Sequence, residues 1–205
     1  MRTHTKESQK NITPEIALEY LVEGNTRFIN NLKAHRNLLE QVNETREGQY
    51  PFATILSCID SRVSAELVFD QGLGDIFSIR IAGNVLNEDI LGSMEFACKV
   101  AGSKLIVVLG HSRCGAVKGA VEQVKLGNLS SLLKKIEPAI EIVKRESKFE
   151  FGDPHFMNEV VRHNVIDVAD EITKRSEILA DMVSDDKIAI VKGVYFVETG
   201  DVIFS

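Results

Sequence analysis

Short apolar runs separated by helix-forming segments constrain the fold of this 205-residue chain more than any other feature. The clearest run is 104–109, which is apolar at five consecutive positions, and similar runs occupy 52–57, 76–81 and 188–191. Apolar strands joined by helices are typical of a parallel sheet that is covered on both faces. We therefore predict an α/β fold with a mostly parallel central sheet flanked by helices.

The N-terminal region reads as helical. Thr13-Pro14 supplies an N-cap followed by a proline in the first turn, which predicts a helix to about residue 33. A second short helix is expected over 37–47. Because both have modest apolar faces, we expect them to lie across another surface, such as a partner subunit. The chain is predicted to be a single domain over 1–205, with a helical arm over 1–48 and the α/β core over 49–205.

The last third of the chain is expected to hold two long helices and a hairpin. The helices are predicted over 130–146, interrupted or kinked near Pro138, and over 154–183, with a break. Apolar residues at 194–197 and 202–204 flank the turn signal ETGD, which predicts a strand or hairpin at the sheet edge.

Composition narrows the class of protein. Apolar residues make up 44%, charged residues 26% and the net charge is −6, which argues against nucleic acid as a partner. The polar start lacks a signal-peptide pattern and no apolar stretch is long enough for a membrane span, so we expect a cytoplasmic protein without a membrane partner. Three cysteines are too few for a disulfide framework and favour a metal or catalytic role.

Two segments carry the chemistry, and each directly follows a predicted strand. They are CIDSR at 58–62 and HSRCG at 111–115. Ligands gather at the carboxyl ends of strands in open parallel sheets, so we expect the two segments to face one pocket. Cys58, His111 and Cys114 then supply two thiolates and one imidazole. This set suits zinc and leaves a fourth position for water, unlike a closed structural site.

Asp60 and Arg62 follow Cys58 at intervals of two residues. Asp60 is placed to orient a hydroxide beside the metal, and Arg62 to pair with Asp60 and keep it ionised. Two other readings stay open. Asp60 is close enough to take the fourth zinc position itself and close the site, and the pair could be purely structural.

The two segments together resemble the β-class carbonic anhydrases. The resemblance extends to RIAGN at 80–84, EDILGS at 88–93 and the stretch 110–119, so it covers roughly residues 49 to 125, with looser matches near the C-terminus. It implies one Zn²⁺ per chain held by Cys58, His111 and Cys114, with Asp60 and Arg62 as a catalytic pair. The implied reaction is the reversible hydration of carbon dioxide to bicarbonate by attack of zinc-bound hydroxide.

The resemblance also implies substrate-binding residues and a subgroup. Gln49 falls where plant-like members place a glutamine that contacts substrate across the dimer interface, and Phe77 and Gly115 fall at further substrate-binding positions. Another subgroup has a second bicarbonate site built on a Trp, where this chain carries Ile55. We therefore expect a plant-like member with an open site, assembled as a homodimer or tetramer.

Two alternatives accompany this interpretation, which makes three possibilities in all. The same fold could hydrolyse a carbon dioxide analogue such as carbon disulfide or carbonyl sulfide, although the chain lacks long insertions. A non-catalytic zinc-binding scaffold is the third possibility, which the presence of Asp60 and Arg62 disfavours. Of the remaining candidates, Cys98 is expected in the core, and His155 and His163 at the surface or in the core.

Overall fold

The computed structural model describes residues 3–151 and 153–205. Of the single domain predicted over 1–205, residues 1, 2 and 152 lie outside these ranges. The described strands form a sheet in the order β2-β1-β3-β4-β5. Its strands are β1 (Ala53–Ser57), β2 (Ile76–Arg80), β3 (Leu105–His111), β4 (Ala189–Tyr195) and β5 (Val202–Phe204). The first four are parallel and β5 runs antiparallel to β4, which confirms the predicted α/β fold with a hairpin at one edge.

Helices cover both faces of this sheet. Their bounds are α1 (Lys6–Lys10), α2 (Pro14–Ile29), α3 (Leu38–Thr45), α4 (Ala65–Val68), α5 (Glu88–Glu95), α6 (Gly115–Val121), α7 (Gly127–Leu133), α8 (Glu137–Glu146), α9 (Pro154–Arg175) and α10 (Glu177–Ser184). A π-helical turn, Phe96–Val100, extends α5, and short 3-10 turns occupy Ala82–Asn84 and Lys134–Ile136.

The two central strands are buried along their whole length because alternate side chains enter different cores. Ile55 and Val107 pack in one cluster with residues of α2, whereas Leu56 and Val108 pack in another with residues of α9 and α10. A third cluster joins α6, α8 and α9 below Cys58 and Cys114. The sheet is thereby fixed on both faces, and its carboxyl-terminal edge becomes a rigid platform.

Proline and serine positions decide where the later helices begin. The helix predicted over 130–146 is interrupted near Pro138 as expected: a 3-10 turn over Lys134–Ile136 separates α7 from α8, and Pro138 lies in the first turn of α8. The predicted break in the long helix falls at Ser176, whose side chain accepts a hydrogen bond from the Leu179 amide at the start of α10. The strand expected at 188–191 continues through Gly193 to the hairpin.

The N-terminal helices contribute to the protein's own core and also expose an apolar surface. Thr13 caps α2 as predicted, and Ala17 and Leu21 are fully buried against the sheet. The short helix α1 was not predicted, although Thr5 and Ser8 form a capping box at its start. Large apolar side chains remain exposed on the outer side of this region: Val22, Ile29, Leu32, Leu38, Leu39 and Val42. The predicted contact with a partner therefore concerns this outer side and stays a prediction.

No helix within the described ranges has both the length and the apolar character that a membrane crossing requires.

Asn25 ties α2 to two distant parts of the chain. Its Nδ2 donates to the carbonyl oxygens of Val68, at 3.1 Å, and Gly200, at 2.8 Å, and its Oδ1 accepts from the Val202 amide at 2.9 Å. We expect Asn25→Ala to lower the free energy of unfolding by about 2 to 4 kcal/mol, because these backbone groups lose a buried partner. Urea unfolding monitored by circular dichroism measures the change.

The matched control is Asn30→Ala, a substitution of the residue that caps the C-terminal end of the same helix. The Asn30 side chain is exposed and donates only locally, to the Thr26 carbonyl, so a loss below about 0.5 kcal/mol is expected. Equal losses in the two variants would contradict the role assigned to Asn25.

Candidate metal centre

Two strand ends and one helix start bring the predicted ligands together. Cys58 directly follows β1, His111 is the last residue of β3, and Cys114 is the N-cap of α6. One ligand atom from each lies within 4.8 Å of the other two, and all three residues are buried. Among the described residues, this is the group of histidine, cysteine and acidic side chains whose geometry suits a metal ion.

The orientation of the His111 ring favours a metal. Its Nδ1 lies 2.8 Å from the carbonyl oxygen of Ser112, which only accepts, so Nδ1 carries the proton. The lone pair is then on Nε2, a fully buried atom without a hydrogen-bond partner. Such an orphaned atom beside two thiols is explained by a bound cation. Two sulfur ligands and one imidazole fit zinc.

The two thiols influence each other strongly. A hydrogen bond from Cys114 lowers the pKa of Cys58, and the backbone amide of Gly83 also reaches the Cys58 sulfur at 3.4 Å. The same hydrogen bond, together with burial, raises the pKa of Cys114. The two sulfurs are therefore held close together in a buried place, where a cation would make two thiolates favourable.

Asp60 faces this group but is held by Arg62. The Arg62 Nε and Nη2 atoms donate to the two Asp60 carboxylate oxygens at 2.9 and 2.7 Å, and the Arg62 amide adds a third bond at 3.0 Å. The hydrogen bond from the Arg62 side chain keeps the pKa of Asp60 well below its usual range. Asp60 Oδ2 lies 4.0 Å from His111 Nε2. The carboxylate is therefore ionised, fixed in direction and outside the three-residue ligand group.

Arg80 and Gly83 also hold Cys58 in place, although the sequence showed them only as parts of the segment RIAGN. Arg80 Nε donates to the Cys58 carbonyl at 3.0 Å, and Arg80 Nη2 to the Asp60 carbonyl at 2.7 Å. Gly83, which donates to the Cys58 sulfur, has a positive φ of 66°, and an added Cβ would lie 2.9 Å from the Ile136 side chain. These roles depend on the pairing of β1 with β2, so no local sequence signal identifies them.

The three predicted substrate-binding residues lie in different places. Gly115 begins α6 next to Cys114, and the space beside its Cα is open. Gln49 is exposed in the loop before β1, at the opposite edge of the sheet, and lines a surface pocket with Thr45 and Gly74. Phe77 is half-buried on β2, where the centroid of its ring lies 6.3 Å from that of the Phe96 ring. Within one chain, Gln49 and Phe77 thus do not join the ligand group.

The remaining cysteine and one of the histidines have structural surroundings. Cys98 is buried in the π-helical turn, and burial raises the pKa of its thiol to about 12. His155 stacks on Phe149 with the ring centroids 4.9 Å apart.

A mostly parallel sheet flanked by helices carries, at its carboxyl-terminal edge, a Cys-His-Cys group that could bind a metal ion and an adjacent Asp–Arg pair, an arrangement typical of metal-dependent enzymes. The family model described as "Carbonic anhydrase" matches residues 53–202. The chain belongs to the carbonic anhydrase family, in its β class, and is a carbonic anhydrase, hence a lyase.

Relatives and solved structures agree with this assignment. "Carbonic anhydrase 2" of Mycobacterium tuberculosis is 33% identical over 196 residues, covering 93% of this chain and 92% of that protein. The carbonic anhydrase of Mycolicibacterium smegmatis is 34% identical over 200 residues, covering 94% and 93%. The structure of the β-carbonic anhydrase CcaA has a TM-score of 0.73 at 27% identity and covers 91% of this chain and 94% of its own. A tetrameric β-carbonic anhydrase from Sordaria macrospora shares the fold, with a TM-score of 0.75 at 19% identity, covering 91% and 95%.

A metal held by the ligand group should shield its sulfurs. We expect zinc loading to slow the alkylation of Cys58 and Cys114 by iodoacetamide about tenfold or more, since a coordinated thiolate is no longer a free nucleophile. Timed labelling of chelator-treated and zinc-loaded protein, read by peptide mass spectrometry, measures this. Cys98 is the internal control, because it is buried away from the group and should react equally slowly in both forms. Labelling of Cys58 and Cys114 that is indifferent to zinc would contradict the ligand assignment.

Proposed function

We propose that this chain catalyses the zinc-dependent, reversible hydration of carbon dioxide to bicarbonate and a proton. The observation that carries the proposal is the ligand group of Cys58, His111 and Cys114 beside a carboxylate that Arg62 holds outside it. Three protein ligands leave a fourth position for water or substrate. Zinc bound there supplies a Lewis acid that lowers the pKa of a water molecule from about 15.7 to roughly 7.

The chain's own residues orient the reactants. Asp60, kept ionised by Arg62, only accepts hydrogen bonds, so it fixes the proton of the attacking oxygen and turns a lone pair toward carbon dioxide. His111 is fixed in direction by the Ser112 carbonyl. Gly115 leaves open space beside Cys114 for a small substrate. A linear, uncharged substrate needs few polar contacts, which suits this small site.

We further propose that the site belongs to the plant-like, open subgroup. Both Asp60 oxygens accept hydrogen bonds from Arg62, which holds the carboxylate outside the three-residue ligand group while its Oδ2 still faces His111 at 4.0 Å. Ile55 is fully buried in β1, and the sequence contains no Trp. These features support an open fourth position at neutral pH.

We infer that the active form is a homo-oligomer, a dimer or a tetramer. Gln49 and Phe77 lie away from the ligand group of their own chain, so their substrate-binding role requires the site of a neighbouring subunit. The exposed apolar side chains of α2 and α3 support a contact between subunits.

The cysteines Cys58 and Cys114 must stay reduced to serve as metal ligands, which supports a reducing compartment, and the cytoplasm is the proposed location.

Asp60→Asn tests the catalytic assignment. The amide keeps the shape but presents a donor where the mechanism needs an acceptor, so we expect kcat/KM for carbon dioxide hydration to fall about 100-fold. Arg62→Lys keeps the charge and loses the two-pronged contact, so a loss of about tenfold is expected. Stopped-flow hydration assays on zinc-loaded protein measure both.

The control is Asp185→Asn, which breaks a comparable surface pair with Lys187 at the amino-terminal side of β4 and should leave the rate unchanged. Absence of hydration above background at about pH 7 to 9, with one zinc per chain, would overturn the proposed function. The same assay with carbonyl sulfide in place of carbon dioxide tests the alternative that the chain hydrolyses a carbon dioxide analogue.

An open site should keep its activity below about pH 8 without a steep loss. Arg62→Ala releases both Asp60 oxygens and should introduce such a loss, because the free carboxylate can then occupy the fourth position. The pH profile of kcat/KM for the two proteins measures the difference. A steep collapse below about pH 8 in the unmodified protein would contradict the open subgroup.

A further inference from the structure

A carboxylate 84 residues after Cys114 in the sequence holds the loop that carries two of the metal ligands. Glu198 lies in the turn between β4 and β5. Its Oε2 accepts from the Ser112 hydroxyl at 2.6 Å, and its Oε1 accepts from Arg113 Nε at 2.6 Å. Both donors lie between His111 and Cys114. The Glu198 side chain therefore binds both of the residues that lie between these two ligands in the sequence.

The backbone at the end of β4 and in the same turn also binds Ser112. The Ser112 amide donates to the Tyr195 carbonyl at 2.9 Å, and the Val197 amide donates to the Ser112 hydroxyl at 3.0 Å. Ser112 is only 1% exposed. Its peptide orientation is thus fixed by the backbone on one side and by Glu198 on the other.

This orientation reaches the metal position through His111. The Ser112 carbonyl accepts the proton of His111 Nδ1, which selects the tautomer that directs the Nε2 lone pair toward the sulfurs. Arg113 has a φ of 54°, a left-handed conformation that a residue with a side chain adopts only when its surroundings impose it. The bond from Arg113 to Glu198 is the side-chain contact of this residue, next to Cys114.

We propose that Glu198 is a positioning residue of the metal centre, which acts through Ser112 and Arg113 to hold His111 and Cys114 in ligand geometry. It touches neither the ligands nor the substrate. The proposal rests on the proposed function, because the ion it concerns is the zinc of that site. Partners of ligating residues commonly contribute 10- to 100-fold to metal affinity, which sets the scale of the expected effect.

Metal affinity and ligand geometry provide the test. Glu198→Ala should weaken Zn²⁺ binding about tenfold or more in competition with a chromophoric chelator, and Glu198→Gln should recover part of the loss, since its amide oxygen still accepts from Ser112. Loading with Co²⁺ in place of zinc should give an altered visible absorption spectrum in Glu198→Ala. A residue that merely stabilises the fold would not change that spectrum.

Ser112→Ala tests whether the effect of Glu198 on the metal passes through Ser112. It also replaces Glu198→Ala if that variant does not fold. It removes the hydroxyl donor and should also weaken Zn²⁺ binding, and the double variant should lose less than the product of the two single losses. Asp185→Asn is the control and should match the unmodified protein. Circular dichroism and thermal unfolding of the metal-free variants verify the fold.

The outcomes separate this inference from the proposed function. Unchanged Zn²⁺ affinity and Co²⁺ spectrum in Glu198→Ala, while the unmodified protein binds one zinc and hydrates carbon dioxide, would overturn the positioning role alone. An unmodified protein that neither binds zinc nor hydrates carbon dioxide would overturn the proposed function and this inference with it.

Discussion

The parallel register of the central strands is the constraint on which the site depends. Ser57 is paired with Leu109 and with Arg80, so the first residue after β1 lies beside the end of β3 and within reach of β2. Cys58 thereby meets His111, which is itself paired with Tyr195 on β4. A slip of one residue would turn the alternating side chains to opposite faces and separate the ligands.

The same register explains why the support for the site comes from distant parts of the sequence. Arg80 holds the segment after β1 because it stands beside Ser57, and Glu198 holds the segment after β3 because it follows β4 beside His111. Each of the two segments of the candidate metal centre is therefore held by residues at or just after the end of a neighbouring strand. Buried polar ligands such as His111 keep one geometry only when such partners fix them, so the sheet provides both the site and its rigidity.

The sequence was sufficient for features that are local. Apolar runs marked β1 and β3, Thr13 marked the start of α2, and the spacing around Cys58 and His111 indicated one pocket. It was insufficient where tertiary pairing decides. The interruption near Pro138 was predicted, but its form was not: a 3-10 turn over Lys134–Ile136 precedes α8, and Pro138 lies in the first turn of that helix. Glu198 was placed in the turn signal ETGD, but its contacts carried no local signal because its partners are 85 and 86 residues away. Gln49 and Phe77 depend on a neighbouring subunit and stay predictions.

In the proposed function, the pair of Asp60 and Arg62 decides whether the fourth metal position is open or closed. Arg62 is 49% exposed, whereas Asp60 is 17% exposed, so their ion pair is partly screened by water and its hold on the carboxylate comes mainly from the two-pronged geometry. Asp60 can therefore be released without disturbing the buried ligands. The hydrogen bond to Asp60 is the main cause that raises the pKa of Arg62. The turn after β4 is connected to the candidate metal centre through Ser112 and His111.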